Sequence, residues 1–162
     1  MMMSKNKFIR IPSDVFPKGV CELHVGYRRT SDTRIKMTCA EDIVDFLREH
    51  VYKQMDLEYC ESFYVLMLDR ANKLFAWKQI SVGGLSGTVA DPRLIFETAL
   101  LSHCTSIVLC HNHPSGNILP SAADVQLTKN ICEGGKLLEI TVLDHIILTV
   151  DGFYSFANEG LI

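Results

Sequence analysis

The stretch Glu61-Ser-Phe-Tyr-Val-Leu-Met-Leu68 constrains this chain more than any other. It is apolar almost throughout, rich in β-favouring side chains and short, which predicts a central strand buried on both faces. Asp69-Arg-Ala-Asn-Lys73 supplies a turn, and Leu74 to Val82 returns as the hairpin partner, ending at Gly83-Gly84.

Around that hairpin the pattern alternates between strands and helices. Leu23, Val25 and Tyr27 recur with a period of two, so residues 1–37 read as a β-rich lead-in. Thr30 to Thr33 reads as a turn, with Arg34 to Met37 pairing back as a short strand. Thr38-Cys-Ala-Glu41 fits a capping box, and Ile43, Phe46, Leu47, Val51 and Met55 follow at helical spacing, predicting a helix from Thr38 to Met55. Asp91-Pro92 starts another helix through Ile95, Ala99 and Leu100. Ser106 to Cys110 is a short β-branched strand. Ser121 caps a helix carrying Val125, Leu127, Thr128 and Ile131, expected to stop at Gly134-Gly135. Ile140 to Leu143 and His145 to Val150 are read as strands on either side of Asp144. Residues 1–162 are expected to form one domain, with the core from residue 38 onward.

Composition removes several classes. The chain is 48% hydrophobic and 22% charged, ordinary for a globular domain. Ile107 to Cys110 and Ile146 to Val150 are far short of the roughly 20 residues that span a bilayer, so no membrane role is expected. The N-terminal lysines have no signal-length apolar segment behind them, which makes the cytoplasm the expected compartment. Cys21, Cys39, Cys60, Cys104, Cys110 and Cys132 stand singly, without CxxC spacing, and are read as reduced thiols. The net charge is −3 and the longest basic run is Arg28-Arg29, so the electrostatic footprint of a nucleic-acid binder is missing.

The chemistry concentrates in His111-x-His113, followed after seven residues by Ser121-x-x-Asp124. Histidines two apart at the end of a strand project to the same side and can share one ion. A loop broken by Pro114 and Gly116 turns the chain into the new helix, where Ser121 and Asp124 share the first turn. Two imidazoles and a carboxylate make a three-donor set suited to catalytic zinc, with one position left for water. Nitrogen donors favour zinc over magnesium, and bound water falls in pKa from 15.7 to about 7, providing a hydroxide nucleophile. A carboxylate at the edge of a buried strand suits proton transfer. Glu61 fills that role better than Glu58, which lies outside the strand. The Ser121 hydroxyl could donate to a developing oxyanion.

Glu61…His111-x-His113-(x)7-Ser121-x-x-Asp124 resembles the JAMM motif of MPN/JAB metallopeptidases. The surrounding text resembles the bacterial RadC-like branch. The likeness runs through Glu-x-Phe-x-Val-Leu-x-Leu-Asp at 61–69, Ile-Ser-Val-Gly-Gly at 80–84 and Asp-Pro-Arg at 91–93. It continues in His-Asn-His-Pro-Ser-Gly at 111–116, Leu-Asp-His-x-Ile at 143–147 and Tyr-Ser-Phe at 154–156, covering roughly residues 20–162. That resemblance implies an α/β fold, a three-layer α/β/α sandwich with a mixed sheet related to cytidine deaminases. It also implies one Zn2+ on His111, His113 and Asp124, Glu61 as acid/base, and Ser121 supporting the transition state. Such a site would hydrolyse a peptide or isopeptide bond in a peptide or protein conjugate. RadC-like proteins often carry an N-terminal helix-hairpin-helix region. Residues 1–37 do not resemble one, so the family's DNA-repair label is not expected to describe this domain.

Other readings of the same residues fit less well. A contiguous His-Asn-His tripeptide is not the dispersed pattern of an HNH nuclease, and the His-x-Glu and Pro-Cys-x-x-Cys of zinc deaminases are absent. Asp144-His145 either orients a ligand from behind or satisfies itself in the core. His24, His50 and His103 lack ligand-spaced partners. Cys110 should point away from the ligand face and pack. The rival functional class is a non-catalytic MPN-type binding module, or a protein of DNA transactions.

Overall fold

The computed structural model describes residues 34–52, 54–83 and 90–162. The expected strand around Leu23 to Tyr27, and the turn after it, lie outside them, as do Cys21 and His24.

Among the described residues six strands form one sheet: β1 (Ile35–Lys36), β2 (Ser62–Leu68), β3 (Lys73–Val82), β4 (Ser106–Asn112), β5 (Thr141–Leu148) and β6 (Phe153–Ser155), ordered β1-β3-β2-β4-β5-β6. Every neighbouring pair is antiparallel except β4 and β5, which run parallel. A parallel pair needs a crossover, here α4 (Ala122–Leu138). The other α-helices among the described residues are α1 (Ala40–Phe46), α2 (Gln54–Tyr59) and α3 (Pro92–Ser102). The sheet curls as a half-barrel, so the expected sandwich is matched at the level of class: a mixed sheet with helices. No helix among the described residues is long and apolar enough to cross a membrane.

β2 and β4 sit in the middle and bury both faces, as the apolar run predicts. Leu66, Leu68, Val108 and Cys110 join α1 residues in one apolar cluster, while Val65, Met67, Ile107 and Leu109 join Ile95 and Ala99 of α3 and Ile131 of α4 in another. Burying each of these Leu, Ile, Val and Met side chains stabilises the fold by about 1.5–3 kcal/mol. The alternation along β4 also sorts its polar end: Cys110 and Asn112 share one face, His111 the other. Cys110 packs in the α1 cluster, as expected.

Four local expectations are corrected. The helix expected over residues 38–55 is broken. α1 gives way to a π-helical turn at Leu47–Val51, the backbone is extended at Tyr52, and α2 begins at Gln54. Tertiary bonds account for this. The buried Tyr52 hydroxyl donates to the Ser62 carbonyl at 2.9 Å, and Arg48 donates to the carbonyls of Val150 at 3.0 Å and Thr149 at 2.8 Å. The capping carboxylate before α1 is Asp42 and not Glu41, accepting from the Thr38 amide at 2.7 Å and its hydroxyl.

α4 does not stop at Gly134-Gly135 but runs to Leu138, with Glu139 in the left-handed region at φ 56°. The glycines serve close approach: a Cβ on Gly134 would strike the Phe96 ring, and one on Gly135 the Ile140 carbonyl. Finally, β5 is one continuous strand through Asp144. The buried Asp144 carboxylate accepts from the Ser155 hydroxyl at 2.6 Å, the Ala157 amide at 3.0 Å and the His145 amide at 2.7 Å, which satisfies a polar side chain inside the sheet.

Candidate metal centre

β4 carries His111 and Asn112 at its C-terminal end, and the His113 amide donates to Leu148 of β5 at 3.0 Å, which holds the chain beside the sheet for one more residue. The loop then turns back. The Gly116 amide donates to the His113 carbonyl at 3.1 Å, with Gly116 at φ +78°, a conformation a side chain would strain. Asp91 and Ser121 cap α3 and α4 as predicted. At α4 the cap is reciprocal: the Ser121 hydroxyl accepts from the Asp124 amide at 3.2 Å, while the Asp124 carboxylate accepts from the Ser121 amide at 2.7 Å and its hydroxyl at 2.6 Å.

These elements bring His111, His113 and Asp124 together as a group that could hold a metal ion. His111 Nε2 lies 3.0 Å from His113 Nε2 and 3.4 Å from Asp124 Oδ1, and His113 Nε2 lies 3.8 Å from Asp124 Oδ2. Donors held tetrahedrally at 2.0–2.1 Å from a common ion stand about 3.3 Å apart; one donor atom from each residue lies within 4.8 Å of the others, so a small cation would draw the three slightly together. The donor chemistry fits as well. His113 Nδ1 faces the Asn117 carbonyl at 2.7 Å; a carbonyl only accepts, so the proton sits on Nδ1 and the Nε2 lone pair faces the group. Burial pushes His111 down to about 4, with the nearby Asp124 opposing the shift and His113 adding to it, so the ring is neutral at pH 7, as a ligand must be.

A cleft of about 720 Å³ opens beside this group, lined by Glu61, Gly83, His113, Pro114 and Ser121 among others. Strand register explains the arrival of Glu61. Phe63 of β2 pairs with His111, and continuing that antiparallel register two places brings Glu61 level with His113, on the same face. The Gly83 amide donates to the Glu61 carbonyl at 2.7 Å. Among the described residues lining the cleft there is no Lys or Arg, and Tyr59, Val82 and Leu119 add an apolar rim.

The two readings of Asp144-His145 separate in space. His145 is completely buried and its Nε2 lies 2.9 Å from His111 Nδ1, whereas Asp144 faces Ser155 and Ala157. His50 lies tilted against Phe46, ring centroids 5.0 Å apart, and His103 ends α3; neither is among the cleft-lining residues. The described cysteines are all free, Cys60 among the cleft-lining residues.

Two residues escaped the sequence reading. Asn112, read only as the spacer between two histidines, has a fully buried amide. It donates to the carbonyls of Leu57 at 3.0 Å and Cys60 at 2.9 Å and accepts from the Ser62 amide at 2.8 Å and hydroxyl at 3.0 Å. It thereby clamps the segment bearing Glu61. A polar residue at the one inward position between two candidate ligands was the available signal. Thr128, read as part of the apolar face of α4, stands 2.6 Å from His145 Nδ1.

The RadC-like JAB domain profile matches residues 37–161. The chain is 46% identical over 101 residues to a UPF0758 protein of Flavobacterium johnsoniae, covering 62% of this chain and 44% of that one. It is 38% identical over 132 residues to a UPF0758 protein of Desulforamulus reducens, covering 82% and 56%. A UPF0758 protein of Chlorobaculum parvum is 34% identical over 144 residues, covering 89% and 63%. The chain therefore spans about half the length of these relatives. With its profile match running from the start of the core nearly to the last residue, the chain belongs to the RadC-like JAB domain family.

Proposed function

We propose that this domain is a zinc-dependent hydrolase of the JAMM metallopeptidase type, cleaving a peptide or isopeptide bond. The observation that carries the reading is the convergence of His111 Nε2, His113 Nε2 and the Asp124 carboxylate in one group beside a cleft that Glu61 and Ser121 also line. Two imidazoles and one carboxylate suit zinc better than a hard cation. A bound zinc ion would act as a Lewis acid on the scissile carbonyl and lower the pKa of its water from 15.7 to about 7.

The chain's own groups supply the rest. Glu61 takes the proton of the attacking water and delivers it to the leaving amine. The Ser121 proton is engaged with Asp124 Oδ2 at 2.6 Å, orienting the ligand carboxylate. Donation to an oxyanion then requires the hydroxyl to rotate away from that carboxylate. The apolar rim and the missing Lys and Arg favour a neutral amide substrate over a phosphodiester, whose anionic backbone would meet Glu61 with no counter-charge among the described lining residues. The same feature weighs against a role in binding DNA through this cleft.

Free cysteines agree with a reducing, cytoplasmic setting. We read the helix-flanked sheet as the α/β/α layering of the JAB fold, supported by apolar clusters on its two faces. Zinc-loaded protein should hydrolyse members of a panel of peptides and C-terminally linked conjugates, and Glu61→Gln should abolish turnover with zinc retained. Equal turnover by both proteins, or none by the zinc-loaded wild type across the panel, would refute the enzyme reading.

A further inference from the structure

Behind the ligands runs a chain of buried hydrogen bonds that ends where it began, at the candidate centre. The Thr128 hydroxyl lies 2.6 Å from the Asp124 carbonyl and 2.6 Å from His145 Nδ1, and His145 Nε2 lies 2.9 Å from His111 Nδ1. The direction of every bond can be deduced. A carbonyl can only accept, so the single hydroxyl proton of Thr128 points at Asp124. If it pointed at His145 instead, two oxygen lone pairs would face each other at 2.6 Å with no proton between them.

Thr128 must therefore accept from His145, which places that ring's proton on Nδ1. His145 is completely buried, and among the described residues its two nitrogens meet a hydroxyl and another imidazole, with Phe156 stacked on the ring at 4.8 Å. Nothing there compensates a second proton, so Nε2 is a bare acceptor. His111 Nδ1 must then carry a proton, which leaves His111 Nε2 bare and turned toward His113 Nε2 at 3.0 Å.

We infer that Thr128 and His145 are positioning residues that lock His111 in its metal-ligating tautomer, through a relay anchored on the backbone of the Asp124 ligand itself. The inference rests on the metal-site reading above for its consequence; without an ion the three bonds of the relay outweigh the one contact on the other side of the ring, where the bare Nε2 atoms of His111 and His113 face each other at 3.0 Å. The relay joins three elements: β4 supplies His111, β5 supplies His145, and α4 supplies both Thr128 and Asp124. Deleting the hydroxyl at 128 removes the acceptor that faces His145 Nδ1 among the described residues. The cheapest repair is to move that proton to Nε2, which forces His111 to accept at Nδ1 and carry its own proton on Nε2, where it blocks the metal.

Thr128→Val keeps the side-chain shape and removes the hydroxyl, whereas Thr128→Ser keeps the hydroxyl. Ring-nitrogen NMR on zinc-free, 15N-histidine-labelled protein should show His111 protonated on Nδ1 in wild type and Thr128→Ser, and on Nε2 in Thr128→Val. Zinc affinity, by competition with a chromophoric chelator, should fall at least tenfold in Thr128→Val and return to within about twofold in Thr128→Ser, in the range that outer hydrogen-bond partners of metal ligands carry. A packing role alone would leave Thr128→Val with unchanged tautomer and affinity. That result overturns the inference, as does wild-type His111 protonated on Nε2, or a tautomer switch with no change in affinity. If wild type binds no zinc, the metal-site reading fails while the ring spectra still decide the relay. A Thr128→Val chain that does not fold leaves the wild-type and Thr128→Ser spectra to decide.

Discussion

The two walls of the cleft are built in opposite ways. On the ligand wall, a strand end, a short loop and one helix cap deliver His111, His113 and Asp124 from a single local stretch, and each side chain is held from behind: His111 by His145, His113 by the Asn117 carbonyl, Asp124 by Ser121. On the facing wall, Glu61 comes from far back in the chain. Strand register, the Gly83 amide and the buried amide of Asn112 set its backbone. A wall assembled locally can hold an ion without the other, so metal binding and turnover should come apart under mutation.

The largest effect breaks the comparison outright. Asp124→Ala should weaken zinc by more than about 100-fold, beyond what outer partners carry, and abolish turnover with it. Glu61→Gln should keep the zinc and lose about 10²–10⁴-fold in kcat, the range for a positioned general base. Metal analysis and kinetics on the two purified variants read both. Equal zinc loss in both would mean the walls are not independent.

Acid should strike the buried imidazoles behind the candidate centre. The buried His111 has its pKa lowered from 6.5 to about 4, so between those values the unfolded chain binds more protons than the folded one. Stability of the zinc-free protein is therefore full above pH 6.5 and falls as pH drops toward 4, by about 3 kcal/mol from this residue. His145, held low by burial, adds in the same direction. Asp144, raised by burial, acts oppositely, because the folded state holds its proton more readily than the unfolded one. Urea titrations at pH 7.5 and 4.5 measure the sum, and equal stability at both would contradict neutral buried imidazoles.

The smallest effect sharpens the comparison from the other wall. Asn112→Ala leaves the Leu57 and Cys60 carbonyls and the Ser62 amide short of a partner, for a loss of roughly 2 kcal/mol of stability. Because this clamp serves the Glu61 segment, kcat should fall while zinc affinity stays near wild type. Denaturant melts, kinetics and chelator competition separate the three.

The same division decided what the sequence disclosed. β2, β3, α3, β4 and the grouping of His111, His113 and Asp124 were legible, because periodicity, caps and spacing are written within a few residues of where they act. The break at Tyr52 was not. Ile43, Phe46, Leu47, Val51 and Met55 keep helical spacing straight through it, and the bonds that stabilise the break reach to Ser62, Thr149 and Val150. Gly134-Gly135 carried the letters of a helix stop, but their use is packing against Phe96 and Ile140, which only the tertiary fold reveals. Asn112 and Thr128 were missed for the same reason: their partners sit on other elements.

The most direct measurement is the metal content and coordination of the purified protein, by elemental analysis and X-ray absorption at the zinc edge. The account predicts one zinc per chain bound by two imidazoles, one carboxylate oxygen and one water oxygen. A chain that takes up no stoichiometric zinc, or a zinc whose shell is closed by a sulfur such as that of Cys60, would contradict it.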